Sequence, residues 1–208
     1  MIGVAGLGKS GISAANLLLK NGEEVILFDG NKELDKNTIL DKFDKKYHER
    51  IKIVLGDLNE SDAKDMKYCV ISPGIDLEVD FVKTLKSCNI PIWSEVELGY
   101  KYSKGDLIAI TGTNGKTTTT SLVGEIMSNF KESAFTVGNI GIPYTDIADK
   151  TNENTVTVLE TSSFQLETII DFKPKISAIL NITPDHLNRH HTMENYIKVK
   201  EDIEKNQD

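Results

Sequence analysis

The chain has 208 residues, 39% hydrophobic and 27% charged, with a formal net charge of −8 at pH 7. Those proportions exclude a disordered, collagen-like or coiled-coil polypeptide, and the length suffices for one or two domains with buried cores. The acidic balance argues against nucleic acid or an anionic membrane as a partner, although local basic sites still hold phosphates. Cys69 and Cys88 lie in apolar-rich stretches with no C-x-x-C or metal-type neighbour, which is the usage of a reduced, cytoplasmic protein. No apolar run reaches the ~18 residues of a membrane span. The N-terminal Met-Ile-Gly-Val-Ala-Gly lacks the basic region and long apolar core of a signal peptide.

Short β-branched runs alternate with longer helical stretches, which predicts parallel α/β architecture. Ile2–Ala5 reads as a first strand, then a Gly-rich turn and a helix to about Asn21, stopped by Gly22. Glu24–Asp29 is a second strand. Asn37–Tyr47 places Leu40, Phe43 and Tyr47 at helical spacing and predicts an amphipathic helix. Ile51–Leu55, Tyr68–Ser72 and Ile90–Ser94 complete five strands, with a helix over Glu78–Asn89. A second unit is expected from about Ser103, giving domains 1–103 and 104–208. Its elements are a strand Asp106–Thr111, a loop Gly112–Gly115 and a helix Thr117–Phe130. Strands at Ala134–Val137, Thr155–Glu160 and Lys175–Ile182 follow, and a charged helix over Thr192–Lys205.

Gly6-Leu7-Gly8-Lys9-Ser10-Gly11 matches G-x-G-x-x-G directly after a strand and at the start of a helix. Gly6 permits the tight turn, Gly8 lets a pyrophosphate approach the backbone, and Gly11 allows close helix–strand packing. The helix start offers unpaired N–H groups and the positive dipole end to phosphate. Asp29 ends the second strand 18 residues after Gly11, where a ribose-binding acid sits. The physics is that of pyrophosphate and ribose, so nicotinamide, flavin and other nucleotide diphosphates all fit. Ser72-Pro73-Gly74 ends another strand at the same sheet edge, where ligands of open parallel sheets bind.

Ile110 to Thr118 lies between a strand and a helix and carries Gly115-Lys116-Thr117, the working end of a phosphate loop. The first glycine of the full pattern is replaced by Ile110. Backbone N–H groups wrap phosphates, Lys116 reaches the β and γ oxygens, and Thr117 offers a hydroxyl to Mg²⁺. A dehydrogenase has no use for such a loop. A ligase that spends ATP to activate a nucleotide-carried substrate needs both motifs.

With these residues the sequence resembles the Mur ligases of peptidoglycan synthesis, and within them the D-glutamate-adding branch. The resemblance spans essentially the whole chain and rests on several stretches in order. They are Gly6–Gly11, Ser72–Ile75, the Thr-Gly-Thr-Asn-Gly-Lys-Thr-Thr loop at 111–118, Gly138–Gly141, Leu159–Glu167 and Asn181–Leu187. It implies a Rossmann-like N-terminal domain followed by a P-loop-type α/β domain that is incomplete. It also implies ATP and Mg²⁺ as cofactors, with UDP-N-acetylmuramoyl-L-alanine and D-glutamate as substrates. The implied protein is cytoplasmic and monomeric. ATP would phosphorylate the substrate carboxylate, and the D-glutamate amine would displace phosphate from the acyl phosphate.

Carried onto this chain, the resemblance has Gly112, Thr113, Asn114, Gly115, Lys116, Thr117 and Thr118 hold ATP. Lys116, His186 and Lys200 are catalytic, and Thr117, Glu160, His186 and Lys200 hold metal. Lys200 would be a carbamylated lysine, with Lys198 as the fallback. Gly8, Lys9, Ser10, Asp29, Ser72, Pro73 and Gly74 would surround the UDP moiety, and Asn139, Ser162 and Gln165 would contact substrate. His186 and His190 are four apart, yet no third ligand supports zinc; His190 and His191 read as surface residues. Two departures stand out. Gly30-Asn31 replaces a polar–basic pair, with Lys32 a candidate substitute, and Asn188 replaces an aspartate. The expectation is a piece of a longer ligase, able to bind the UDP compound and unable by itself to form the peptide bond. The competing readings are an NAD-dependent oxidoreductase and a non-catalytic UDP-sugar-binding module.

Overall fold

The computed structural model describes residues 1–207. It divides into two compact units, Met1–Glu95 and Val96–Asp208.

In the first unit β1 (Ile2–Ala5) is followed by α1 (Lys9–Lys20) and β2 (Val25–Asp29). Strand residues 2–5 and 25–28 are all buried, the unbroken apolar pattern of strands covered on both faces. α1 buries Ala14, Ala15, Leu17, Leu18 and Leu19 and ends at Asn21–Gly22, where Gly22 takes φ 87°. β3 (Ile51–Leu55), β4 (Cys69–Ile71) and β5 (Ile92–Ser94) complete a sheet of order β3-β2-β1-β4-β5, parallel throughout. α3 (Glu60–Lys64) and α4 (Asp80–Ser87) lie in the crossovers to β4 and β5. Ile26, Phe28, Met66, Cys69, Ile71 and Leu85 build the main core cluster. Burial there pushes the Cys69 thiol up to about 12, so it stays protonated and inert.

The helix expected over Asn37–Tyr47 is not continuous. α2 covers only Lys36–Leu40, and a 3₁₀ segment occupies Lys45–Arg50. Two aspartates account for the break. Asp35 accepts the Thr38 N–H at 2.7 Å and Asp44 accepts the Lys46 N–H at 3.1 Å, so each starts its own short turn. Phe43 still reaches the core, at 5% exposure.

The second unit begins at Val96, ahead of the expected 103/104 boundary, because α5 (Glu95–Tyr102) belongs to it from its second residue on. Val96 and Tyr100 join its main core cluster with Tyr144, Leu159, Phe172 and Ile203. Its sheet comprises β6 (Asp106–Thr111), β7 (Ala134–Gly138), β8 (Val156–Glu160) and β9 (Ile176–Ile179) in the order β7-β8-β6-β9, again all parallel. α6 (Lys116–Phe130) follows β6 and packs against β7 and β8. Short helices α7 (Ser163–Leu166) and α8 (Leu187–His190) precede α9 (Met193–Glu201), which passes into a 3₁₀ turn at Asp202–Glu204 instead of running on to Lys205. Only Ile176–Ile179 of the expected strand 175–182 is strand; the residues after it leave the sheet to brace a loop. No helix among the described residues is long and apolar enough to cross a membrane.

Candidate functional site

Two constellations occupy the carboxyl ends of the two sheets, one in each unit.

In the first unit Gly6 takes φ 84° and turns the chain out of β1. A Cβ on Gly11 would lie 1.9 Å from the Gly6 carbonyl oxygen, so only glycine lets α1 start this close to the turn. Gly8 caps α1 with extended backbone and no side-chain cap, and Lys9 and Ser10 open the helix. Asp29 braces the turn: Oδ2 accepts the Leu7 N–H at 3.1 Å and Oδ1 accepts the Asn31 N–H at 3.0 Å. From the end of β4, Ser72 Oγ donates to the Gly6 carbonyl at 3.0 Å, which brings the Ser72-Pro73-Gly74 turn to the fingerprint. Beside these residues a cleft of about 380 Å³ is lined by Leu7, Gly8, Asp29, Asn31, Thr38 and Lys42, among others. Lys32, the candidate substitute for the missing basic residue, is paired with Asp57 at 2.9 Å and does not line this cleft. Lys42, which sequence reading passed over, does.

In the second unit the loop after β6 climbs to Gly115, which takes φ 83° and caps α6 without a side-chain bond. The first-turn N–H groups of α6 are therefore presented to an anion. The residues just after β9 hold the loop: Asn181 accepts the Asn114 N–H and donates to the Asn114 carbonyl, both at 2.9 Å. Thr113 N–H meets the Asn181 carbonyl at 2.9 Å, and Thr113 Oγ1 lies 3.0 Å from the Tyr196 hydroxyl. Lys116 folds back onto the Gly112 and Thr113 carbonyls, both at 2.9 Å. Thr117 and Thr118 are exposed on the first turn.

Around this loop stand the other expected residues. Glu160 ends β8 at 1% exposure. Its Oε1 accepts from Asn139 Nδ2 at 2.7 Å, while its Oε2 is buried without a hydrogen-bond partner. A buried, half-satisfied carboxylate is costly unless a cation completes it. Lys200, on α9, is 1% exposed and donates to the Gly112 carbonyl at 2.9 Å and to Thr111 Oγ1 at 3.3 Å. Burial, and then the neighbouring Lys116 charge, lower its ammonium to about 8, with Asp185 opposing. Lys198, two residues earlier, is exposed, so helix phase brings Lys200 to the loop and not Lys198.

His186 takes a left-handed φ of 52°, with Nε2 3.4 Å from Asp185 Oδ2. Ser162 and Gln165 form a capping box on α7: Gln165 Oε1 accepts the Ser162 N–H at 3.0 Å. This box commits the Gln165 carbonyl oxygen within the protein. His191 is exposed, but His190 is not the surface residue its sequence suggested. It is 5% exposed, with Nε2 2.9 Å from Ser163 Oγ, and burial and nearby cations hold its pKa below the ordinary value. No group of three His, Cys, Asp or Glu side chains at metal-binding proximity occurs among the described residues.

Sequence reading gave no role to Tyr196, Arg189 or Glu167. Glu167 closes the 159–167 stretch, and Tyr196 precedes Lys200 by one helical turn, a spacing that could have tied it to the loop.

Comparison with known proteins bears on the family and the fold. The Mur ligase MurD-like N-terminal domain matches residues 1–94, and the Mur ligase middle domain matches residues 110–208. The chain is 55% identical over 204 residues to a UDP-N-acetylmuramoylalanine–D-glutamate ligase of Lachnoclostridium phytofermentans, covering 98% of this chain and 44% of the relative. It is 52% identical to the protein of the same name from Lachnospira eligens, covering 98% and 45%. The chain thus spans under half the length of the curated relatives it matches. Among solved structures, a UDP-N-acetylmuramate–alanine ligase from Thermotoga maritima aligns with TM-score 0.55 at 24% identity, covering 99% of this chain and 47% of that one. A UDP-N-acetylmuramate:L-alanyl-γ-D-glutamyl-meso-diaminopimelate ligase from Neisseria meningitides aligns with TM-score 0.56 at 16% identity, covering 97% and 66%. These two likenesses concern the fold. With a MurD-like N-terminal domain and a middle domain in that order, the chain belongs to the Mur ligase family.

Proposed function

We propose that the chain carries the nucleotide-handling part of a cytoplasmic, ATP-dependent ligase that joins D-glutamate to UDP-N-acetylmuramoyl-L-alanine. The observation that carries the reading is the second-unit loop, where an uncapped helix start, two lysines and a half-satisfied buried glutamate converge. The high identity to relatives bearing that ligase name supports the substrate pair.

The roles follow from the chemistry of the groups. The cleft beside Gly8 takes the UDP end, with the α1 N-terminus and Lys9 and Ser10 toward the diphosphate and Asp29, Ser72, Pro73 and Gly74 framing it. Residues 112–118 wrap the ATP phosphates. Lys116 leaves the Gly112 and Thr113 carbonyls to meet the transferring phosphoryl group. The donor set fits a hard cation: Glu160 has a buried oxygen without a partner, and Thr117 adds a hydroxyl. His186 and a carbamylated Lys200 would complete a second such site. Mg²⁺ bound there offsets the negative charge gathered between ATP and the substrate carboxylate. Asn139 orients Glu160, and Asn139, Ser162 and Gln165 would contact the diphosphate or sugar region of the substrate. ATP gives its terminal phosphoryl group to the carboxylate, leaving ADP; the D-glutamate amine then attacks the acyl carbon, and phosphate departs.

Calorimetric titration with UDP-N-acetylmuramoyl-L-alanine, ATP and NAD tests the reading. Binding of the UDP compound and of Mg²⁺·ATP is expected; tight NAD binding without the UDP compound would sink it and restore the oxidoreductase reading.

Lys200 has its own test. A lysine with pKa lowered to about 8 exposes a growing neutral fraction as pH rises through that value, and the neutral amine is the form that adds CO₂. The product keeps one N–H to donate to Gly112 and gains acceptor oxygens. In ¹³C-bicarbonate, a carbamate resonance is expected that strengthens as pH rises toward and past 8 and vanishes in Lys200→Met. Its persistence in that variant would remove Lys200 from the role.

A further inference from the structure

α8 is a four-residue turn flanked by left-handed residues, His186 at φ 52° and His191 at φ 66°. Neither is glycine, and such backbone persists only where the surroundings hold it. Here the holding groups come from α7 and from Glu167, its C-cap. Glu167 pairs with Arg189 through Nε–Oε1 at 3.2 Å and through Nη2–Oε2, with side-chain exposures of 10% and 11%. His190 sits between Glu167 and Ser163, Nδ1 3.6 Å from Glu167 Oε1 and Nε2 2.9 Å from Ser163 Oγ. The Phe164 ring carries the Arg189 guanidinium 4.4 Å from its centroid and the His186 ring at 4.8 Å.

α7 follows directly on the Glu160 end of β8, so this contact ties the Glu160 strand to the turn that displays His186. An ion pair so buried gives little net stability over an apolar pair of similar volume, because desolvation offsets the attraction. Its directionality is the better account: a bidentate guanidinium–carboxylate pair fixes angle as well as distance.

We propose that Glu167, acting through Arg189 and His190, is a positioning residue that imposes the left-handed turn at His186 and so aims its ring. The inference rests on the proposed reading of His186 as a ligand of the cation that accompanies the ATP phosphates.

The test uses the 208-residue chain, following the His186 ring by ¹H–¹³C NMR and amide exchange over residues 187–191, with Mn²⁺·ATP as a paramagnetic probe. In the unaltered protein the ring signal should be dispersed and broadened by the probe. Glu167→Gln should move it toward its random-coil position and speed amide exchange about tenfold or more, as a local opening does, while ATP affinity stays within about twofold, because residues 112–118 are untouched. The swapped pair Glu167→Arg with Arg189→Glu should restore the signal. The apolar pair Glu167→Leu with Arg189→Met should keep the fold without restoring it, which separates aim from stability and carries the test if the single variant unfolds. Unchanged ring signal and exchange in the folded variants would overturn the positioning role. Displacement in the variants with no broadening in the unaltered protein would leave positioning intact and refute the reading of His186.

Discussion

Lys116→Ala is expected to weaken ATP binding by roughly 30-fold or more, about 2 kcal/mol, the lower range for removing one partner of a desolvated charge contact. Affinity for UDP-N-acetylmuramoyl-L-alanine should stay within about twofold, since sites without shared partners are close to additive. The residues lining the cleft beside Gly8 belong to the first unit and Lys116 to the second. Without ligand Lys116 donates to the Gly112 and Thr113 carbonyls at 2.9 Å, from a half-buried position that water can reach. Its loss should therefore barely change thermal stability. Lys116→Arg should not rescue, because a planar fork does not replace a point charge inside a tight loop. Calorimetry with both ligands on one preparation decides it. A parallel loss of both affinities would show that the two sites are not separate.

The largest stability effect is expected at Glu97. Its side chain is fully buried, and its carboxylate accepts the N–H groups of Ile170, Asp171 and Phe172 at 2.9, 2.9 and 3.0 Å. Three successive amides on one carboxylate tie α5 to the segment that leads into β9. Glu97→Ala leaves those donors without their acceptor, and an unmet buried polar group costs about 1–3 kcal/mol each. Allowing for relaxation, a loss of roughly 3–5 kcal/mol is expected, a large part of a typical ~5–15 kcal/mol total. Glu97→Gln keeps one acceptor oxygen and turns an NH₂ toward the donors, so an intermediate loss should follow. The urea midpoint of the second unit, followed by circular dichroism, is the measurement. Trp93, the sole tryptophan, lies in the first unit, so its fluorescence should report that unit's transition little changed. A midpoint shift worth under about 1 kcal/mol for Glu97→Ala would show that water replaces the carboxylate.

Much of the site was legible because backbone requirements leave marks in sequence. Gly11 abuts the Gly6 carbonyl, and Gly115 takes a left-handed φ at the α6 cap, so glycine at each is demanded by geometry. The alternation of short β-branched runs with helical stretches announced the parallel sheets. The 37–47 stretch misled because helical spacing competed with Asp35 and Asp44, whose side chains satisfy the backbone locally and restart it. The boundary shifted because Val96 and Tyr100 look like ordinary amphipathic helix residues, and nothing in them names the unit they pack against.

The sequence by itself determined the two parallel-sheet units, the glycine turns that follow β1 and β6 and the family, because these depend on local backbone freedom and short-range order. The tertiary structure decided what depends on partners distant along the chain. It buried Lys200 and left Lys198 in water, paired Asn139 with Glu160, enclosed His190 beside Ser163, and committed Asp29 and Glu97 to backbone amides. Whether a charged side chain is a solvated surface group or part of a site depends on desolvation and on which partners reach it. Packing sets both.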